Sequence, residues 1–230
     1  MPKPRNQSMD TKIGMAEQII AIAWKNEIIR NVLAGYNFNE ERFNRARELR
    51  ERADSLTIDR NRKKSEKLVA TKVLKDVSKK AKKVFIEFLQ LARLVFKDDP
   101  WAAQVLGLKG RRKQTIAGWL DEAKQFYTNA VNETKILDQF SSFGITRERL
   151  EAGKAVLVEV EEAAADQERK KGNLLQATRD LGQAIKELDQ TAGIIKRLAS
   201  FGLRGGPEEQ LLEGLGITVP SRKFKITTKT

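Results

Sequence analysis

The sequence predicts an all-α protein: two tandem helical modules of about 107 residues, each with three main helices and a short one, arranged as a pseudo-two-fold helical bundle. Three observations carry that expectation. The 230 residues include only five Pro and fifteen Gly, against abundant Ala, Leu, Glu, Lys and Arg, the types that lose least on entering a helix. Apolar residues recur with a period near 3.6. The chain also matches itself without gaps when shifted by 107 positions.

The self-match is densest in its middle. Asp59, Arg62-Lys63-Lys64, Leu68, Ala70-Thr71, Leu74 and Lys79 land on Asp166, Arg169-Lys170-Lys171, Leu175, Ala177-Thr178, Leu181 and Lys186. Leu91-Ala92, Pro100 and Gly107-Leu108 land on Leu198-Ala199, Pro207 and Gly214-Leu215. That is fourteen identities in the fifty positions from Asp59 to Leu108, where composition alone gives roughly 6–8%. Upstream, Ala16, Gln18, Ala23, Ile29 and Glu41-Arg42 keep the register with Ala123, Gln125, Ala130, Ile136 and Glu148-Arg149. The expected organisation is a flexible N-terminus (1–11), module one (12–110), a basic linker (111–118), module two (119–217) and a basic tail (218–230).

Each element has its own signal. Helix one is expected near Ile13 to Leu33, with apolar residues at 13, 16, 19, 20, 23, 24, 28, 29, 32 and 33. Gly35-Tyr36-Asn37-Phe38 ends it and Asn39 is placed to cap the next helix; Gly144 and Thr146 do the same in module two. Helix two carries the sparse stripe Phe43, Ala46, Leu49, Ala53 and Leu56. Helix three is expected from about Ser65 to Phe96, with its start clearer at Gly172-Asn173 of module two, a C-cap followed by an N-cap. The alternative is one rod running through both, since no Pro lies between Asn39 and Asp99. Pro100 and Pro207 stand at the first position of a short helix, with Gly107 and Gly214 just past its end.

Composition also bounds function. There is no His and no Cys. That removes disulfides, thiolate nucleophiles, imidazole acid–base chemistry, zinc sites of the usual kind and the Glu-x-x-His di-iron bundle. Glu159, Glu161 and Glu162 cluster, and Asp98 pairs with Asp99, but neither has the spacing of an oxygen-ligand metal site. Asp98 and Asp99 read as anions at a helix start. Lys109-Gly110-Arg111-Arg112-Lys113 is no phosphate loop and reads as linker. Trp24, Trp101 and Trp119 are expected in the core or at a seam between modules. No catalytic residue, metal site or cofactor is expected, nor any small-molecule substrate. No apolar run approaches a membrane span, and Met1–Lys12 lacks the apolar stretch of a signal peptide, so the expected location is cytoplasmic.

The charge is +13, with 44 Lys and Arg against 31 Asp and Glu. Residues 1–110 hold 24 cations and 14 acids, and the remainder holds 20 and 17. Much of the excess lies between Arg60 and Lys83. On a helix advancing 100° per residue, Arg60, Lys64, Lys72, Lys75, Lys79 and Lys82 fall on one broad side, with Ala70, Leu74, Val77, Ala81, Phe85 and Phe88 opposite. Such a stripe suits a phosphate backbone; it also suits a merely solvated surface, because Lys outnumbers Arg and no aromatic is interleaved. Where module one has Lys72, Lys75, Lys80 and Lys82, module two has Arg179, Gly182, Glu187 and Asp189, far less basic. The tail adds Arg222, Lys223 and Lys225, with Lys229, and is expected to be disordered or to order only on a partner.

The expected function is a non-enzymatic interaction or scaffold protein that presents helical faces to a protein partner or to itself. The alternative is sequence-independent nucleic-acid binding through Arg60, Lys64, Lys72, Lys75, Lys79, Lys82 and the tail residues Arg222, Lys223 and Lys225. An anionic membrane surface ranks behind both.

Overall fold

The computed structural model describes residues 8–220, and every regular element among them is a helix. In chain order these are α1 (Met9–Lys25), α2 (Glu27–Gly35), α3 (Glu40–Val95), α4 (Pro100–Val105), α5 (Ile116–Asn132), α6 (Thr134–Ser142), α7 (Arg147–Leu203) and α8 (Leu211–Gly214). The all-α expectation holds. No helix among the described residues is long and apolar enough to cross a membrane.

Local chemistry sets the ends. Ser8 accepts a hydrogen bond from the Thr11 amide and starts α1 at Met9, inside the stretch expected to be flexible. Thr115 accepts from the Gly118 amide and starts α5 at Ile116, within the expected linker. The expected first helix is two helices. Its break is at Asn26, whose backbone is extended (φ −84°, ψ 114°). The Asn26 amide still donates to Ile22 O, closing α1, while its side chain accepts from the Ile29 amide, opening α2. Asn at this position lets one residue end one helix and cap the next. After α2 the chain turns through Asn37 at φ 59°, matched by Gly144 at φ 74° after α6. Asn and Gly are the types that tolerate this left-handed backbone.

Helices two and three of each module, read as separate, are one continuous helix. α3 has 56 residues and α7 has 57. Gly172-Asn173, expected as a cap pair, lies in mid-helix. A single exposed Gly costs a helix only about 1 kcal/mol, which flanking helix formers and the packed residues on either side outweigh. α4 follows the expected pattern: the Asp99 side chain accepts from the Ala102 amide at 2.9 Å, Pro100 opens the helix and Gly107 (φ 60°) follows it. The second short helix does not begin at Pro207. Gly206 has no side chain to cap with, so the chain passes through successive turns (Leu211 N to Glu208 O, 3.0 Å) and only Leu211–Gly214 is helical.

The described chain forms two compact units. The first comprises residues 8–62 and 175–220, the second 63–174. The first thus takes α1, α2, α8, the beginning of α3 and the end of α7. Its core joins Ile20, Ala23, Leu33, Phe43 and Ala46 to Leu181, Leu188, Ile195, Leu203 and Leu212. The second takes α4, α5, α6, the end of α3 and the beginning of α7. Its core joins Phe85, Phe88, Ala92 and Leu106 to Phe126, Tyr127, Phe140, Leu150 and Leu157. Each compact unit therefore draws on residues from both halves of the sequence. The bounds of α5 and α6 are those of α1 and α2 displaced by 107 positions.

Candidate functional site

The Lys-rich segment of α3 is a helix for reasons visible in its residues. Asn39 accepts from the Arg42 amide at the start, and no Pro interrupts the run to Val95. One side of the segment is buried through Ala70, Leu74, Ala81, Phe85 and Phe88, with Val77 partly buried. That anchoring fixes which side chains face water. Lys64, Lys72, Lys75 and Lys79 are exposed and Lys82 is half-buried, all in the second unit. Arg60 belongs to the first unit and is half-buried, its Nε shielded without a partner. The five Lys thus fall in the second unit and Arg60 in the first. Arg222, Lys223 and Lys225 lie outside the described residues.

Ion pairing separates these Lys from their neighbours. Glu66 holds two cations, Lys170 at 2.9 Å and Lys63 at 3.8 Å, and Lys83 reaches Glu87 at 4.0 Å. Among the described residues no carboxylate lies within ion-pair distance of Lys64, Lys72, Lys75, Lys79 or Lys82. The second unit carries 23 Lys and Arg against 16 Asp and Glu, a net +7; residues 63–83 contribute nine Lys and two acids, the whole of that excess. In the first unit, residues 8–62 and 175–220 hold 15 of each sign. The arrangement can attract an extended anion.

A second surface was not singled out by sequence. Val69, Val73, Leu91 and Leu94 are 63%, 47%, 39% and 66% exposed. Their spacing places them on one side of α3, roughly a third of a turn from the Lys side. The signal was present, since 69, 73, 91 and 94 keep helical period. Periodicity reports that residues share a side, not that the side is covered.

In the first unit, Trp24 is half-buried, with the Arg47 guanidinium 4.3 Å and that of Arg30 5.5 Å from its ring centroid. A cavity of about 300 Å³ opens beside it, floored by Ile20, Ala21 and Ala46. Two of its rim charges pair with each other, Arg50 with Glu17 at 3.2 Å, and Arg50 also reaches Asp54 at 2.9 Å. Trp119 is in the core, and Trp101 is 48% exposed.

Three of the carboxylates noted in sequence have structural partners, Asp98 pairing with Lys97 at 3.6 Å. Asp99 caps α4, and Glu161 pairs with Lys124. Among the described residues no cluster of three or more acidic groups is placed to hold a metal ion. Tyr127 is fully buried, and burial, reinforced by the charge of Glu87, pushes its hydroxyl well above the usual tyrosine range. A hydroxyl held neutral in this way is inert as a base at neutral pH. The chain matches no family model, no curated protein and no solved structure.

Proposed function

We propose that this is a non-enzymatic interaction protein, built from two copies of one helical module with the pseudo-two-fold relation such a duplication gives, and that it presents the outer side of α3 to a helical protein partner or to a second copy of itself. The coincidence of α1–α2 with α5–α6 under a shift of 107 positions supports the duplication, together with the fourteen identities.

One observation supports the docking face above all. Val69 and Val73 are one turn apart, Leu91 and Leu94 are one turn apart, and the two pairs are five turns apart on the same side of one helix. Asp76, Lys80 and Glu87 fill the interval. Scattered exposed aliphatics are ordinary, whereas apolar residues in helical register are what a helix laid along another helix buries. The four span about 38 Å at 1.5 Å per residue.

Sedimentation velocity over a hundredfold concentration range, with cross-linking mass spectrometry in cells, tests the reading. A concentration-dependent dimer, or a cross-linked protein at the α3 surface, is expected. Val69→Lys with Leu94→Lys is expected to abolish either one while leaving helicity unchanged. A strict monomer with no protein cross-link at α3, or an association indifferent to the double substitution, would remove the proposal.

A further inference from the structure

We infer that the second unit also binds the phosphate backbone of duplex nucleic acid, without sequence preference, through Lys64, Lys72, Lys75, Lys79 and Lys82. This goes beyond the docking reading and does not rest on it, because a different side of α3 is involved.

The argument begins with what the Lys residues do for the fold. None of the five has a carboxylate partner among the described residues, and four are exposed. Lys72 and Lys79 also flank Lys75 at helical spacing, so the row concentrates like charge. Like charges near one another on a helix destabilise it by a few tenths of a kcal/mol per pair. No ion pair among the described residues offsets that cost. In the matching stretch of α7 (175–190) there are two cations and three acids, so the same helical element exists without the row. The segment 68–83 has six Lys and one acid.

Geometry then selects the ligand. From Lys64 to Lys82 the row is about 27 Å long at 1.5 Å per residue, and Lys72, Lys75, Lys79 and Lys82 advance by one helical turn each. A row of point charges matches a linear polyphosphate. Lys lacks the planar fork that reads base edges or grips phosphate in two places, so the contacts position without specifying. No aromatic stands among the five for unpaired bases to stack on, which favours a duplex over a single strand. A lipid surface fits less well. Its widest apolar side is held in the core through Leu74, Ala81, Phe85 and Phe88, each no more than 9% exposed, and the exposed aliphatics Leu68, Val69 and Val73 are too few to insert into a bilayer.

Neutralising five phosphates sets a quantitative expectation. The logarithm of the binding constant should fall against the logarithm of salt concentration with a slope of about −4.5, roughly a 500-fold loss between 50 and 200 mM. The test is fluorescence anisotropy of a labelled 24-base-pair DNA with the full chain at several salt concentrations. Binding at 50 mM, that slope, and equal affinity for two unrelated sequences are expected. Lys72→Glu, Lys75→Glu, Lys79→Glu and Lys82→Glu together should weaken binding at least 100-fold with helicity retained. Should that variant not fold, Lys72→Gln with Lys75→Gln serves, and should lower the slope by about 2. Arg179→Glu with Lys186→Glu should change affinity less than threefold. Four results would overturn the inference. They are no binding by the unsubstituted chain at 50 mM, a tenfold preference between the two sequences, binding that survives the Lys substitutions, and binding to phosphatidylserine vesicles but not to duplex.

Discussion

Residues 68–83 of α3 and 175–190 of α7 stand 107 positions apart and solve the same packing problem with opposite surfaces. Leu74 and Leu181 are both buried, as are Ala70 and Ala177, and Ala81 faces its own core as Leu188 does. Outward, the first stretch has a net charge of +5 and the second of −1. Helix formation and burial do not depend on the charge, because both stretches are helical without interruption. The Lys row of α3 is thus a surface property added to a packing pattern that stands without it.

The two cores differ as well, and there the difference is steric. In the second unit the Tyr127 ring packs edge-on to Phe88 and Phe126 and lies against Gly153, where a Cβ would sit 2.7 Å from a ring carbon. The positions 107 residues earlier are Ile20 and Ala46 in the first unit, both buried. A large ring goes with a missing Cβ, and a smaller aliphatic goes with a methyl. The aromatic residues move accordingly: the first unit groups Trp24, Phe38 and Phe43 instead.

The largest effect should come from breaking that steric pairing. Gly153→Ala places a methyl inside the van der Waals radius of the Tyr127 ring, which Phe85, Phe88 and Phe126 prevent from retreating. Overpacking of this kind costs about 2–3 kcal/mol, well above the roughly 1 kcal/mol that Ala should gain in a helix. Urea unfolding of the full chain should show the loss. Tyr127→Ile in the same chain should recover part of it by recreating the pair found at Ile20 and Ala46. Additive losses in the double variant would show that ring and glycine are not coupled.

A smaller effect is expected from making the two short helices alike. Asp99 caps α4 through its side chain, while Gly206 stands 107 positions on. Asp99→Gly removes the carboxylate that accepts from the Ala102 amide. The expected cost is only a few tenths of a kcal/mol, because Gly leaves the freed amide open to water. Hydrogen exchange should quicken at the amides of residues 101–103. Unchanged exchange there would mean that Pro100 alone starts the helix.

How much of this was legible in the sequence follows the kind of signal each feature leaves. The helical class, the Asn39 and Thr146 caps and the turn at Gly107 were readable because side-chain identity dictates local backbone. The break at Asn26 was missed because the apolar stripe runs straight through it: Ile20, Ala23, Ile29 and Leu33 keep their period and are all buried. The continuity of α7 through Gly172 was misread in the other direction, since a local breaker signal was outweighed by the helix on both sides. The partition of the core was beyond reach. Periodicity shows that Leu181 and Leu188 are inward, not that they share a core with Leu33 and Phe43 from the other half of the sequence. For the candidate site, the Lys residues were legible one by one. The half-burial of Arg60 and the engagement of Glu66 by Lys63 and Lys170 needed three-dimensional placement, because Lys170 is 104 residues from Glu66.

The smallest effect sharpens the comparison of α3 with α7. If the Lys row contributes nothing to folding, neutralising part of it should leave stability unchanged or raise it slightly. Lys72→Gln with Lys79→Gln removes two exposed charges without an acidic partner, seven residues and two turns apart. Gln has nearly the helix propensity of Lys, so the substitution isolates charge. Relief of repulsion from Lys75, Lys82 and Lys83, set against the lost attraction of Asp76 four residues from Lys72 and three from Lys79, should raise the free energy of unfolding by up to about 0.3 kcal/mol at low salt. The gain should vanish at 1 M salt, where the screening length is about 3 Å. The same measurement on Arg179→Gln with Lys186→Gln should give no gain, or a slight loss, because Asp180, Glu187 and Asp189 lie close by in sequence. A clear loss of stability in the α3 variant that survives high salt would show that these Lys pack through their methylenes and serve the fold. In that case the row would need no ligand to account for it.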